Sequence, residues 1–180
     1  MQKLSNRWLH ITAVLVTILL YSSLTRAQDV TGPALKAAYI FNLAKFTQWP
    51  EEVLYTKKFV MCVIGDQAVA EELERIVKNR SVAGNSITVT RAHADGEERL
   101  CHLLYVSEIS AAKTAQLVGG LKGIPVLTIS DIDGFIKVGG MVQLFYQQGQ
   151  LRFGIGLESA RNAHLEISSK ILTIAMRKND

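Results

Sequence analysis

A regular alternation of apolar runs and helix-like segments between residues 59 and 130 constrains the fold of this chain most. Runs of strand length occur at 59–64, 87–92, 100–107 and 123–130. The segment "AVAEELERIVKN" between the first two runs places Val69, Leu73 and Ile76 on one helical face, and residues 110–121 form a second helix-like segment. Strands that are apolar on both faces are typical of a parallel sheet with helices on both sides.

The alternation ends after residue 130. The segments "GGMVQLFYQQ" and "QLRFGIGL" read as two strands joined at Gln148-Gly149, which predicts a β-hairpin. The last segment, from Glu158 to Met176, is predicted to be mainly helical. The predicted fold is therefore a single α/β domain with a mixed, mostly parallel β-sheet flanked by helices, a C-terminal β-hairpin and a C-terminal helix.

The first 27 residues have the three parts of a secretory signal peptide. Lys3 and Arg7 precede an apolar run of 14 residues (8–21), and Thr25 and Ala27 suit a cleavage site before Gln28. An uncleaved anchor would need about 20 apolar residues. We therefore predict a signal peptide at 1–27 and an exported domain at 28–180.

Charge argues against several partner classes. The formal charge of the chain is +4, but Lys3, Arg7 and Arg26 lie in the predicted signal peptide, which leaves +1 for the exported part. No basic stripe for nucleic acid and no dense Lys/Arg cluster for anionic lipid remains.

The two cysteines of the chain, Cys62 and Cys101, both lie in the exported part. An even pair in an oxidising compartment is most simply a structural disulfide. The chain-entropy model gives such a bond, closing a loop of about 39 residues, roughly 4 kcal/mol. The alternative is two unpaired, buried thiols.

The stretch "LKAAYIFNLAKFTQWP" (35–50) predicts the first helix. Thr31 and Pro33 suit its start, and the Trp49-Pro50 pair is expected to end it. The residues expected to form a sheet-facing stripe are Leu35, Tyr39, Leu43 and Phe46. The stripe does not include Ile40, Phe41 and Trp49. We expect either a second layer of the fold or a partner protein to cover these side chains.

No catalytic or metal-binding pattern stands out. Ser168 and Lys170 have the wrong spacing for a Ser-x-x-Lys pair, and "SDIDGF" departs from the calcium-loop pattern at its glycine. The candidate metal ligands His93, His102 and His164 do not share ligand spacing on one element. Gly65-Asp66 follows the first predicted parallel strand, where open α/β sheets usually bind small ligands. We predict neither a metal nor a cofactor.

Several stretches together resemble the YfiR-like family of periplasmic regulators. They are "KAAYIFNLAKFTQWP", "FVMCVIGD", "CHLLYVS", "GIPVLTISDIDGF", "GGMVQLF" and "LRFGIGLESARNAHLEISSKILTIA". They occur in the family's order and span nearly all of residues 34–176. No single stretch is specific, but the series is.

The resemblance implies a regulatory protein rather than an enzyme. The type member is a periplasmic repressor of an inner-membrane diguanylate cyclase, and an outer-membrane lipoprotein relieves repression by sequestering it. Cyclic di-GMP then rises and favours biofilm and exopolysaccharide. Other members accompany membrane sensor kinases, and a homodimer agrees with the resemblance.

The resemblance also bears on the cysteines. Cys62 and Cys101 match a family disulfide, whereas the type member's second disulfide falls in a region corresponding to 141–146, where this chain has no cysteine.

A protein-binding role requires an exposed surface. The candidate partner-binding residues are Ile40, Phe41 and Trp49 from the first helix region, with Phe145, Tyr146, Leu151 and Phe153 from the hairpin. Burial in the core is the competing interpretation, since most large apolar side chains lie inside. The alternative function is a periplasmic small-ligand receptor that feeds a membrane sensor kinase and uses the Gly65-Asp66 end of the sheet.

Overall fold

A computed structural model describes residues 32–175. The helices are α1 (Gly32–Lys45), α2 (Gln67–Val77), α3 (Ala111–Gly120), α4 (Leu157–Asn162) and α5 (Ser169–Leu172). The strands are β1 (Thr47–Gln48), β2 (Lys58–Ile64), β3 (Ser81–Val82), β4 (Asn85–Arg91), β5 (Leu103–Val106), β6 (Leu127–Ser130), β7 (Val142–Gln147), β8 (Gln150–Ile155) and β9 (Glu166–Ile167). The predicted signal peptide and the Thr31 cap lie outside the described residues.

The main sheet has seven strands in the order β3-β4-β2-β5-β6-β7-β8. Strands β4, β2, β5, β6 and β7 are parallel, whereas β3 and β8 run antiparallel at the two edges. Counted along the chain, the five parallel strands have the order 2-1-3-4-5, which is one of the two common doubly wound arrangements. The predicted fold class is confirmed.

Two hydrophobic clusters cover the two faces of the sheet. Because side chains alternate along a strand, Met61 and Val63 of β2 face α1 and α2, whereas Cys62 and Ile64 pack with α3. Local signals set the helix starts: Asp66 accepts a hydrogen bond from the Val69 amide, as an N-cap residue does. The predicted hairpin is also present, between β7 and β8.

The prediction for the first helix is wrong at its end and on its buried face. The helix ends at Lys45, and the next residues form β1, which pairs with β9. Its buried face is Ala37, Ile40, Phe41, Leu43 and Ala44. Of the predicted stripe, Leu43 is buried and Leu35 and Tyr39 are partly buried against the same core. Phe46 lies beyond the end of the helix and is exposed.

The prediction of one long C-terminal helix is also wrong. A turn at Ala163 and His164 ends α4, and β9 separates α4 from α5. His164 has a positive φ of 57°, a conformation that ends a helix. The third predicted strand is shorter than expected, because residues 97–100 form a 3₁₀ turn and β5 begins at Leu103.

Candidate functional site

A polar cluster lies where three neighbouring parallel strands end. Asp66 follows β2, Ser107 follows β5 and Asp131 follows β6. Lys36 of α1 reaches over these strand ends, with Nζ at 2.6 Å from Asp131 Oδ2 and 3.4 Å from Asp66 Oδ2. Ser107 Oγ donates to Asp131 Oδ1 at 2.7 Å. We call Lys36, Asp66, Ser107 and Asp131 the strand-end cluster.

The strand-end cluster lies at the point where the strand order reverses, between β2 and β5. Open α/β sheets commonly bind ligands at this point. Here the two backbones approach so closely that a side chain on Gly65 would place Cβ only 2.0 Å from the Ser107 carbonyl oxygen. Gly65 also has a φ of 93°, which glycine adopts without steric cost. The close approach is what brings Asp66 and Ser107 beside Asp131.

The ion pairs stabilise the charged forms of both partners. Burial by itself would lower the pKa of Lys36, but the hydrogen bond and charge of Asp131, with a smaller contribution from Asp66, raise it above its ordinary 10.5. Burial would likewise raise the pKa of Asp131, but hydrogen bonds from Lys36 and Ser107 and the charge of Lys36 lower it below 3.8. At neutral pH the cluster therefore holds one cation between two carboxylates.

Tyr105 of β5 adds an unusual feature beneath this cluster. Its side chain is fully buried, and its hydroxyl makes no hydrogen bond of ordinary length and angle within residues 32–175, although Asp131 and Ser107 lie close enough to interact with it. Burial, and then the charge of Asp131, raise the pKa of Tyr105 far above its ordinary 10.0, so the hydroxyl keeps its proton. A buried hydroxyl without a well-formed hydrogen bond is costly.

The strand-end cluster has the outline of a serine paired with a base, because Ser107 lies within hydrogen-bond distance of a carboxylate. Two observations argue against hydrolysis. Ser107 is buried, which leaves its hydroxyl little access to a substrate. The lowered pKa of Asp131 also makes that carboxylate a weak base. The arrangement instead fastens α1 to the ends of β2 and β6.

A second candidate site is an apolar groove of about 330 Å³ beside β8. It is lined by α1, β8 and the α5 region, and its lining residues are Tyr39, Asn42, Leu43, Phe46, Arg152, Phe153, Ile171 and Ile174. We call it the β8 groove. Phe46 is 37% exposed and Ile174 is 63% exposed, so the groove presents apolar side chains to solvent. Its inner wall is fixed, since the Tyr39 ring packs edge-to-face on Phe153.

The residues that line the β8 groove include a positive charge but no negative charge. Arg152 is the one charged residue in its lining, and the lining contains no carboxylate. The Arg152 guanidinium donates to the side-chain oxygen of Gln150. Among the described residues no acidic partner forms an ion pair with Arg152. Because side chains alternate along a strand, Phe153 faces the groove and the neighbouring Arg152 projects toward the other face of the sheet. The groove itself is therefore apolar, and the positive charge lies on the far side of the β8 edge, beside Gln150.

The structure buries five of the seven predicted partner-binding residues, which corrects the expectation that they form a surface. Ile40 packs among the sheet-facing residues of α1, and Phe41 lies under the Arg80 guanidinium at 5.1 Å. Leu151 and Phe153 are buried in the same core.

Trp49 is buried for a different reason. Its indole Nε1 donates to the His102 carbonyl oxygen at 3.0 Å, and its ring packs edge-to-face on Phe59. Because a second layer satisfies this side chain, a partner is not needed to cover it. Phe145 is half-buried and Tyr146 is 55% exposed. A binding role for any of the seven stays a prediction.

The structure joins Cys62 and Cys101 by a disulfide, with 5.9 Å between their Cα atoms. The bond links β2 to the segment that enters β5, on the sheet face that packs against α3. Next to it, His102 accepts a hydrogen bond from the Val60 amide through Nδ1, and its Nε2 lies 2.8 Å from the Val53 carbonyl oxygen. The disulfide and His102 together tie β2 to the segment that enters β5.

Sequence reasoning named the Gly65-Asp66 end of the sheet but missed Lys36, Ser107 and Asp131, and it missed most of the β8 groove. Asp131 carried a usable signal, because it directly follows a buried strand, and Lys36 interrupts an otherwise apolar helix. Arg152 carried a weaker signal, since it falls in a strand without a nearby acidic residue. Ile174 carried none, because the segment that contains it was predicted to be one packed helix.

Two general properties bear on function. None of the helices within residues 32–175 has the length and apolar content needed to cross a bilayer. In the same range no three His, Cys, Asp or Glu side chains lie close enough to hold a metal ion.

A comparison with protein families agrees with the resemblance noted from the sequence. The family model described as YfiR/HmsC-like matches residues 33–176, which is most of the chain. Proteins of this family are periplasmic, and they are regulators rather than enzymes, with a diguanylate cyclase as their target at family level. The chain belongs to the YfiR/HmsC-like family of periplasmic regulators.

Proposed function

We propose that this protein binds the periplasmic part of an inner-membrane diguanylate cyclase and holds the enzyme inactive. Cyclic di-GMP then stays low, and biofilm and exopolysaccharide output stay low with it. The family match over residues 33–176 is the observation that carries the proposal. The predicted signal peptide at residues 1–27 would deliver the domain to the periplasm, and cleavage is expected between Ala27 and Gln28.

The structure supports a role that depends on surface contacts. The strand-end cluster is internally paired, with Lys36 bonded to two carboxylates. The β8 groove, in contrast, exposes Phe46 and Ile174. Contiguous exposed apolar surface is typical of protein interaction sites. By family analogy, an outer-membrane lipoprotein that sequesters the protein would relieve repression, and a homodimer is a further expectation.

Deletion of the gene tests the proposal. Cyclic di-GMP extracted from cells should rise on deletion and return to the original level when the intact gene is supplied. A second measurement is the retention of a diguanylate cyclase from solubilised inner membranes by the tagged mature domain. An unchanged nucleotide level under several growth conditions would contradict repression of a cyclase and would favour a sensor kinase as the partner.

A second candidate function, a periplasmic small-ligand receptor, is favoured by one observation. The buried Tyr105 hydroxyl makes no hydrogen bond of ordinary geometry within residues 32–175, and it lies near the sheet position where α/β folds commonly hold ligands. Native mass spectrometry of the protein purified directly from periplasm tests this function. A receptor should carry a bound small molecule that is lost when Asp66 is replaced by Asn, whereas the bare protein mass would argue against it.

A further inference from the structure

We propose that the β8 groove receives an extended segment of the membrane partner, which adds to the free edge of β8 and places an acidic side chain against Arg152. This inference rests on the proposed function, because it names the surface through which the protein would hold the cyclase. The occupant is a strand-forming segment of the partner's periplasmic part, with apolar side chains and at least one Asp or Glu.

The backbone of β8 is the first step in the argument. Strand β8 pairs with β7 on one side and is the last strand of the sheet. The two hairpin loop residues, Gln148 and Gly149, both have positive φ values, 51° and 74°. This geometry is a type I′ turn, in which the flanking residues Gln147 and Gln150 form a hydrogen-bonded pair.

In an antiparallel ladder, opposite residues alternate between hydrogen-bonded and non-hydrogen-bonded pairs, so one known pair fixes the direction of every backbone group in β8. The Gly156 amide donates to the Met141 carbonyl at 2.8 Å, which makes Met141 and Gly156 a hydrogen-bonded pair, as Gln147 and Gln150 are. The backbone groups of Leu151, Phe153 and Ile155 therefore point away from β7. The Tyr39 hydroxyl donates to the Leu151 carbonyl oxygen at 2.9 Å, which agrees with that direction and leaves Phe153 and Ile155 for an added strand.

The apolar lining is the second step. Phe153 belongs both to the free edge of β8 and to the groove, so an added strand would run directly over it. Phe46 and Ile174 lie in the same lining and are exposed. In strand addition, main-chain hydrogen bonds provide affinity and pockets for alternate side chains provide specificity. The β8 edge and the groove supply these two components side by side.

Charge complementarity is the third step and identifies the partner's chemistry. Arg152 forms no ion pair with a described residue, and the groove lining contains no acidic side chain. Lys45 and Lys170 directly neighbour the lining residues Phe46 and Ile171 in the sequence, which adds positive charge to these segments. A carboxylate is the group that a guanidinium pairs with most effectively, through two parallel hydrogen bonds. An acidic segment is therefore favoured over a basic one.

Substitutions at the groove test the surface. Ile174→Asp adds a like charge against the partner's acidic segment and removes apolar contact, and Arg152→Glu reverses the lone positive charge. Tyr55→Asp is the matched control, because Tyr55 is 76% exposed and does not line the groove. In a deletion strain, we expect the wild-type and Tyr55→Asp genes to restore low cyclic di-GMP and the two groove variants to fail. Each variant's melting temperature shows that it folds.

Binding to the purified periplasmic portion of the cyclase gives the quantitative readout. We expect each groove variant to lose about tenfold or more in affinity, and the Arg152→Glu loss to shrink as salt is raised. Normal repression and affinity in both folded groove variants would overturn the inference and leave the proposed function intact. A deletion strain with unchanged cyclic di-GMP would instead contradict the proposed function itself.

Hydrogen exchange distinguishes strand addition from any other contact at the groove. Pairing at the free edge should slow exchange of the Phe153 and Ile155 amides in the complex. The amides of Arg152 and Gly154, which face β7, should change much less. Unchanged exchange at Phe153 and Ile155 in a saturated complex would overturn the proposed mode of binding.

Discussion

The strand-end cluster and the β8 groove both include residues of α1. The cluster pairs its charged groups inside the protein, whereas the groove exposes apolar side chains to solvent. At the first turns of α1, the Lys36 ammonium is paired with two carboxylates from the sheet. Just beyond its last turn, Phe46 faces solvent in a groove whose one charged lining residue is Arg152. The ion pairs at one end fasten the helix to the sheet, whereas the proposed binding surface lies at the other end.

The largest expected effect comes from the disulfide, which lies outside both regions and stabilises the whole sheet. Replacing Cys62 and Cys101 with serine removes a constraint on a 39-residue separation, which should lower the free energy of unfolding by about 4 kcal/mol. Thermal denaturation followed by circular dichroism measures the effect. Treatment of the wild-type protein with a reductant is the control, and it should shift the melting temperature in the same direction. Equal melting temperatures for variant and wild type would refute a structural role.

The next effect separates the two regions directly. Lys36→Met should lower the free energy of unfolding by about 2 kcal/mol, because it leaves two largely buried carboxylates without their cation. Lys45→Met on the same helix is the matched control, since Lys45 is exposed and forms no described ion pair. Chemical denaturation gives both values. Equal losses in the two variants would show that the strand-end cluster does not stabilise α1.

The pH dependence of the free energy of unfolding also tests whether the strand-end cluster stabilises the fold. The pKa of Asp131 is lowered on folding, so its contribution is present above its unfolded value near 3.8 and disappears as the pH falls through the folded pKa. The pKa of Lys36 is raised, so its contribution is present below about 10.5 and disappears as the pH rises through the folded pKa.

Between these limits the Lys36–Asp131 pair should give a flat stability profile. Denaturation midpoints measured from pH 2 to pH 7 should fall more steeply at the acid end in the wild type than in Asp131→Asn. Parallel curves for the two proteins would contradict the assignment.

The smallest effect on stability is expected at the β8 groove. Ile174→Ser changes an exposed side chain, so the free energy of unfolding should change by less than about 0.5 kcal/mol, while repression of cyclic di-GMP synthesis is weakened. Leu100→Ser is the control, because Leu100 is more exposed and lies outside the groove. A large loss of stability in Ile174→Ser would place this residue in the core and would remove the contrast between the two regions.

Local patterns in the sequence were sufficient for the main sheet apart from its edge strand β3. The apolar run that contains β2 and the Gln148-Gly149 turn of the hairpin each depend on neighbouring residues, and the structure has both. Long-range pairs were not accessible in this way. Strands β1 and β9 have two residues each, which is too short for a periodic signal.

The sequence by itself determined the family, the parallel α/β architecture and the two cysteines available for a disulfide, because these depend on residue order and local periodicity. Tertiary structure alone decided which apolar residues face solvent. Trp49 and Ile40 are buried by β-strands and loops far away in the chain, whereas Phe46 and Ile174 stay exposed. The Lys36–Asp131 pair spans 95 residues, and such a contact exists only after the sheet has brought its strand ends together.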